Sequence, residues 1–128
     1  QKYRLLSRAA ARSTRWKQDT DRVNSILQYI ENRCGDKIRV EDAAAILHLS
    51  KSAFCKFFKK HLGKNFTAYV NEVRVGRACF LLLHTDSPVK NIAYECGFDN
   101  LSYFNRIFVD LKKVQPSVYR RQSAKGLG

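Results

Sequence analysis

With 128 residues the chain has material for one domain, or for two very small units sharing a surface, at roughly 100–200 residues per domain. Its 45% hydrophobic and 27% charged residues allow a core and exclude a disordered tail, and only 6 Gly and 2 Pro exclude collagen-like or low-complexity chain. The longest apolar run, Ala78 to Leu83, is too short to span a bilayer, and 24 Lys+Arg against 11 Asp+Glu give a net charge of +13, suited to polyanionic partners: nucleic acid, anionic lipid or acidic protein.

Residues 1–20 are compositionally separate. Lys2, Arg4, Arg8, Arg12, Arg15 and Lys17 face only Asp19, and Tyr3, Leu5, Leu6, Ala9 and Ala10 can stripe one short helix. The expectation is a solvated basic linker, or the end of an N-terminal domain that lies outside this sequence; the alternative is an ordered arm tracking DNA phosphates. From Asp21 the text is helical. Val23, Ile26, Leu27 and Ile30 recur at i, i+3, i+4 and i+7, with Asp19, Thr20 and Asp21 as caps and Gly35 as the stop after Cys34.

A short helix from Val40 to His48 turns Ala43, Ala44 and Leu47 inward. Ser50 caps the next, from Lys51, whose apolar face is Phe54, Phe57, Phe58 and Leu62, with Gly63 as its end. Asn65 caps a long helix from Phe66 to about His84, with Phe66, Tyr69, Val70, Val73, the stem of Arg77, Phe80 and Leu81 expected inward. Ser87 reads as the cap of another helix, with Pro88 at its first position, where a missing N–H costs nothing. That helix carries Val89, Ile92, Ala93 and Cys96 and ends at Gly97. A helix from about Asn100 to Lys112 buries Tyr103 or Leu101, then Phe104, Ile107, Phe108 and Leu111. Gln115-Pro116 opens a last short helix through Val118, Tyr119 and Arg120, and residues 123–128 read as a frayed tail.

Part of this text occurs twice. Val40 to Leu49 lies over Val89 to Phe98 at an offset of 49, and Phe54, Lys56, Phe57 and Phe58 lie over Phe104, Arg106, Ile107 and Phe108 at an offset of 50; Tyr69 then matches Tyr119. Each copy is a short Ala-containing helix, a tight turn and a second helix with an apolar back, which is the helix-turn-helix pattern. Gly97 suits a left-handed turn position. His48 holds the matching place in the first copy, where a side chain costs roughly 1 kcal/mol.

The run Ile92-Ala93-Tyr94-Glu95-Cys96-Gly97-Phe98-Asp99-Asn100-Leu101-Ser102-Tyr103-Phe104-Asn105-Arg106-Ile107-Phe108, followed by Pro116-Ser117-Val118-Tyr119-Arg120, resembles the DNA-binding domain of the AraC/XylS family of bacterial transcription regulators. The likeness covers about residues 21–121; Lys113 stands where the family usually has Gly. It implies an all-α fold of about seven helices: one helix-turn-helix subdomain over 21–64, a linker helix over 65–84 and a second subdomain over 85–122. A linker helix of about 28 Å, at 1.5 Å per residue, compares with about 34 Å for one DNA turn. One chain is then expected to read two successive major grooves of promoter DNA.

In the first recognition helix the outward residues are Lys51, Ser52, Cys55, Lys56, Lys59 and Lys60. The resemblance turns Ser52, Cys55 and Lys56 toward bases, and Ser50, Lys51, Lys59 and Lys60 are expected at phosphates or on a solvated face. In the second, the resemblance turns Leu101, Ser102, Asn105 and Arg106 toward the groove, with Asn100 and Lys112 at phosphates. Arg106 leads, because its fork matches guanine O6/N7; the alternative for it is an intramolecular salt bridge. Asn100 and Ser102 alternatively serve as cap and phosphate donors.

The resemblance further implies activation through RNA polymerase and a small-molecule effector acting through an N-terminal domain. No cofactor, metal or membrane partner is implied. Cys34, Cys55, Cys79 and Cys96 have neither C-x-x-C nor zinc-finger spacing, and a reducing cytoplasm is expected. His48, His61 and His84 form no catalytic pattern and no phosphate-cradling Gly-rich loop occurs, so an enzyme is not expected. The rival readings are a non-specific architectural DNA binder, a redox-responsive regulator using Cys55 and, last, an amphipathic membrane binder.

Overall fold

The computed structural model describes the backbone of residues 2–127 and the side chains of residues 14–124. Among the described residues there are seven helices and no strand: α1 (Lys2–Arg33), α2 (Val40–Ile46), α3 (Lys51–Leu62), α4 (Phe66–His84), α5 (Val89–Glu95), α6 (Leu101–Lys112) and α7 (Pro116–Leu127). The all-α expectation holds.

The duplication seen in sequence is a duplication in space. Helices α2 and α5 each have 7 residues, and α3 and α6 each have 12. In the first turn the Leu49 amide donates to the Ala44 carbonyl at 3.0 Å; in the second, Phe98 donates to Ala93 at 3.0 Å. Phe58 meets Tyr69 edge-on with centroids 5.6 Å apart, and Phe108 meets Tyr119 edge-on at 5.6 Å. Each unit closes its own core. Ile26, Ile30, Ala43, Ala44, Leu47, Phe54 and Phe58 form the first; Ile92, Ala93, Cys96, Phe98, Phe104 and Phe108 belong to the second. Buried Ala43, Ala44 and Ala93 let neighbouring helices approach closely.

Helix α4 serves both cores. Phe66 and Val70 enter the first; Val75, Ala78, Cys79 and Leu82 enter the second. Its buried stripe therefore moves around the helix axis partway along. For this reason the single inward face expected from sequence is wrong at its far end. Phe80 is 59% exposed, with its ring 4.3 Å from that of His84, and Arg77 is also exposed. Between the two apolar sets lie Asn71 and Arg74. Asn71 Nδ2 donates to Tyr103 Oη at 2.9 Å. Arg74 Nε donates to the Cys34 carbonyl at 2.9 Å, Nη2 donates to the Asp36 carbonyl at 2.8 Å, and the guanidinium lies 5.8 Å from the Phe98 ring centroid. Arg120 closes the other end of α4, with Nε on the Leu82 carbonyl at 3.0 Å and Nη2 on the Thr85 carbonyl at 3.1 Å, supplying partners that the last turn of a helix lacks.

Four other expectations change. The first helix does not start at Asp21: the backbone is helical from Lys2, because Leu, Ala, Arg and Lys favour helix and no Gly or Pro precedes Gly35. The side chains of Lys2, Tyr3, Arg4, Leu5, Leu6, Arg8, Ala9, Ala10 and Arg12 lie outside the described residues. Pro88, not Ser87, is the N-cap of α5, and the Ser87 amide instead donates to Thr85 Oγ1 at 3.4 Å. Leu111 is exposed, lying beyond the last turn that faces the core. Helix α7 runs to Leu127 rather than stopping near Arg120, so the tail is helical through that residue.

Four described residues have positive φ: His48 at 57°, Gly63 at 77°, Gly97 at 100° and Lys113 at 68°. They are two equivalent pairs, His48 with Gly97 and Gly63 with Lys113. Each unit thus meets one left-handed position with glycine and one with a side chain. Gly97 is further constrained, since a Cβ there would run into the Cys34 carbonyl and stand 2.8 Å from Arg74 Nε. Gly97→Ala is expected to destabilise by about 2–4 kcal/mol, through strain and overpacking together. Lys113→Gly is expected to stabilise by about 1 kcal/mol. Urea unfolding of both variants checks the pair, and equal effects of one sign would contradict it.

Candidate nucleic-acid interface

Helix α3 is fixed at its start by Ser50, whose Oγ accepts from the Ala53 amide at 3.1 Å, and at its end by left-handed Gly63. Phe54 and Phe58 anchor its back. Ser50, Lys51, Ser52, Cys55, Lys56, Lys59 and Lys60 are all exposed. Lys51 Nζ lies 3.5 Å from Glu41 Oε1, and both side chains are more than half exposed, so solvent and salt weaken the pair and a phosphate can displace it. Among the described residues, Lys56, Lys59 and Lys60 have no carboxylate partner. The three lysines therefore offer uncompensated positive charge along one helix.

Helix α6 is built the same way. Asn100 Oδ1 accepts from the Tyr103 amide at 2.9 Å, leaving Nδ2 as a donor for an oxyanion. Ser50 and Asn100 thus cap α3 and α6 without spending their donors. Asn100, Ser102, Arg106 and Lys112 are exposed; Leu101 and Asn105 are half-buried, and Leu101 packs against the second core. Leu101, Asn105 and Arg106 share an open groove of about 570 Å³ with Val89, Val109, Asp110, Gln115, Pro116 and Ser117. Ser102 and Lys112 do not line it. Asp110 brings one carboxylate to that groove, which disfavours phosphate at that end. Arg106 makes no ion pair among the described residues. Its guanidinium instead lies over the Tyr103 ring, 5.2 Å from the centroid.

Sequence reading singled out neither Asn71 nor Arg74. Neither falls in the inward set that the periodicity of the linker helix gives, and their partners lie 32 to 40 residues away in the chain.

Residues 43–122 match the family of helix-turn-helix domains. The regulatory protein PocR of Salmonella typhimurium is 39% identical over 101 residues, covering 79% of this chain and 33% of that protein. The activator RhaS of Enterobacter is 32% identical over 87 residues, covering 68% of this chain and 31% of that one. The crystal structure of a probable AraC family transcriptional regulator from Rhodopseudomonas palustris superposes with a TM-score of 0.73 at 29% identity, over 80% of this chain and 96% of that chain. The chain belongs to the AraC family of helix-turn-helix domains. It spans about a third of the length of these two curated relatives.

Within this AraC-type domain the cysteines divide sharply. Cys34, Cys79 and Cys96 are buried, and Cys55 is exposed on α3. Burial pushes the Cys96 thiol up to about 11, so almost none of it is thiolate at neutral pH. Tyr119 is also raised, first by a hydrogen bond with the Cys79 thiol and then by burial. No group of three or more His, Cys, Asp or Glu suited to a metal occurs among the described residues. None of the helices among the described residues is long and apolar enough to cross a membrane. A thiol-reactive dye at pH 7 is expected to label one cysteine in the native AraC-type domain and all four after denaturation. Labelling of Cys96 at the rate of Cys55 would show that the second core opens readily.

Proposed function

We propose that this chain is the sequence-specific double-stranded DNA-binding part of a transcription regulator, with α3 and α6 as its recognition helices. The observation that carries the reading is the pairing of two equivalent helix-turn-helix units in a chain of net charge +13, each presenting a capped, exposed second helix. Lys51, Lys56, Lys59 and Lys60 give α3 electrostatic attraction for the phosphate backbone. Ser52, Cys55 and Lys56 on α3, and Leu101, Ser102, Asn105 and Arg106 on α6, supply base contacts. Lys56 and Arg106 suit guanine, Asn105 suits adenine, and Cys55 offers only an apolar contact to a thymine methyl. Ser50, Lys51, Lys59, Lys60, Asn100 and Lys112 contact phosphates.

At equivalent places the two helices share Ser52 and Ser102 but differ at Cys55 against Asn105 and at Lys56 against Arg106, so the two half-sites differ and palindromic symmetry is not needed. This difference favours a specific reader over a non-specific architectural protein, whose contacts need only charge. Activation is the favoured direction, because the relative RhaS is named an activator. Contact with RNA polymerase and control by a small-molecule effector belong to the same reading, as do a cytoplasmic location and the lack of enzymatic activity. The boundaries 21–64, 65–84 and 85–122 divide it into two readers and their rod, with residues 1–20 leading into it and 123–128 trailing.

DNA selected from a random pool defines the cognate site. Arg106→Ala is expected to cost about 1–3 kcal/mol there and to relax preference at one base pair. Lys60→Ala is expected to weaken all sequences alike and to lower the dependence of log affinity on log salt by about 1. Equal losses on selected and random DNA for both variants would contradict this division of roles.

A further inference from the structure

We propose that Tyr103 and Asn71 are positioning residues for Arg106: the ring holds the guanidinium in place before DNA arrives, and the buried amide holds the ring. The proposal rests on the reading of Arg106 as a base contact and adds what sets its geometry.

An arginine on a helix surface samples many rotamers, and ordering it on binding costs entropy. An ion pair usually supplies such order, but Arg106 has none among the described residues. What it has is Tyr103, one turn earlier on the same helix, where residues three apart are neighbours. The guanidinium carbon stands 5.2 Å from the ring centroid, within the range at which an aromatic face attracts a cation. The contact with the ring spends none of the Arg106 N–H donors on a hydrogen bond among the described residues, so the platform orders the fork without consuming what a guanine edge needs.

The platform is itself held. Tyr103 Oη accepts from Asn71 Nδ2 at 2.9 Å, and the ring leans on Phe98 with centroids 6.1 Å apart. Asn71 is 7% exposed and is the one buried polar or charged residue among the described residues. A buried amide costs free energy unless it is bonded, and an apolar residue would fill the same place at less cost. A buried amide at this place in the linker helix has a use if its bond sets the position of Tyr103. The bond runs from α4 to α6, so the orientation of Arg106 is referred to the rod that also carries the first unit. Tyr103 stands at that junction, lining a cavity of about 230 Å³ with Ile38 and Val40 ahead of and at the start of α2.

The test measures the ratio of affinities for the selected site and for the same site changed at the base pair that Arg106 reads. That base pair is first identified with Arg106→Ala. Tyr103→Leu is expected to lower the ratio by about 2- to 5-fold, the worth of an exposed cation–π contact, while leaving affinity for random DNA within about twofold. In an Arg106→Ala background the same change is expected to do nothing further to the ratio. The double variant Asn71→Leu with Tyr103→Phe exchanges a satisfied polar pair for an apolar one and keeps the ring. It is expected to retain the helical circular dichroism spectrum and to lose about half of the discrimination lost by Tyr103→Leu. A uniform loss across all sequences, additive losses in the Arg106→Ala background, or full discrimination in the double variant would each overturn the positioning role. Arg106→Ala without effect on discrimination would overturn the base-reading assignment instead, and the positioning role with it.

Discussion

One guanidinium joins three parts of the chain. Arg74 leaves the middle of α4, donates to the carbonyls of Cys34 and Asp36 in the segment after α1, and lies against Phe98 in the turn of the second unit. Hydrogen bonds from a charged donor to carbonyls are stronger than neutral ones. They are also less screened here than at the surface, because Arg74 is half-buried, and that burial draws its pKa below the ordinary arginine value. The guanidinium stays charged at any physiological pH. Gly97 completes the joint, since only a residue without Cβ lets the second turn pass this close to the Cys34 carbonyl and Arg74. The Asn71–Tyr103 bond adds a second tie beside it. Two small cores that share a helix are thereby also fastened side to side.

That fastening gives the duplication its use. A single helix-turn-helix unit presents one short helix and reads only a few base pairs. Two units on one rod bind as one ligand, so the second docks at high effective concentration once the first is seated. The benefit requires the two recognition helices to be held at one spacing and one angle. A linker of 19 residues, about 28 Å long at 1.5 Å per residue, is short and stiff enough to hold them only if its ends do not pivot. Arg74 and Asn71 brace the middle; Arg120 braces the end.

Much of this was legible in the sequence because the deciding signals are local. The caps Ser50, Asn65 and Asn100 all accept from the amide three residues ahead, as side chains of that type before an apolar periodic run should. The left-handed turn at His48 followed from its alignment with Gly97. What was misread depends on what lies across from each residue. Phe80 and Arg77 fit a single inward stripe, and only the existence of two cores on one helix turns them out. Asp19 to Asp21 look like a cap, yet the helix-forming residues before them carry the helix back to Lys2. The roles of Asn71 and Arg74 arise from partners 32 to 40 residues away, which no local pattern reveals. The exposed faces of α3 and α6 were legible as surface; which base each side chain meets is a property of the DNA as well.

A reader that engages neighbouring grooves with two units as one rigid body depends on the spacing of its boxes. The deciding measurement is the affinity of the chain for its selected two-box DNA before and after 5 base pairs are inserted between the boxes. Half a helical turn carries the second box to the opposite face of the duplex, and a rigid reader is expected to lose about 10- to 100-fold, falling to the affinity of a single box. An unchanged affinity would mean that the two halves move independently, and the account built on their junction would be wrong.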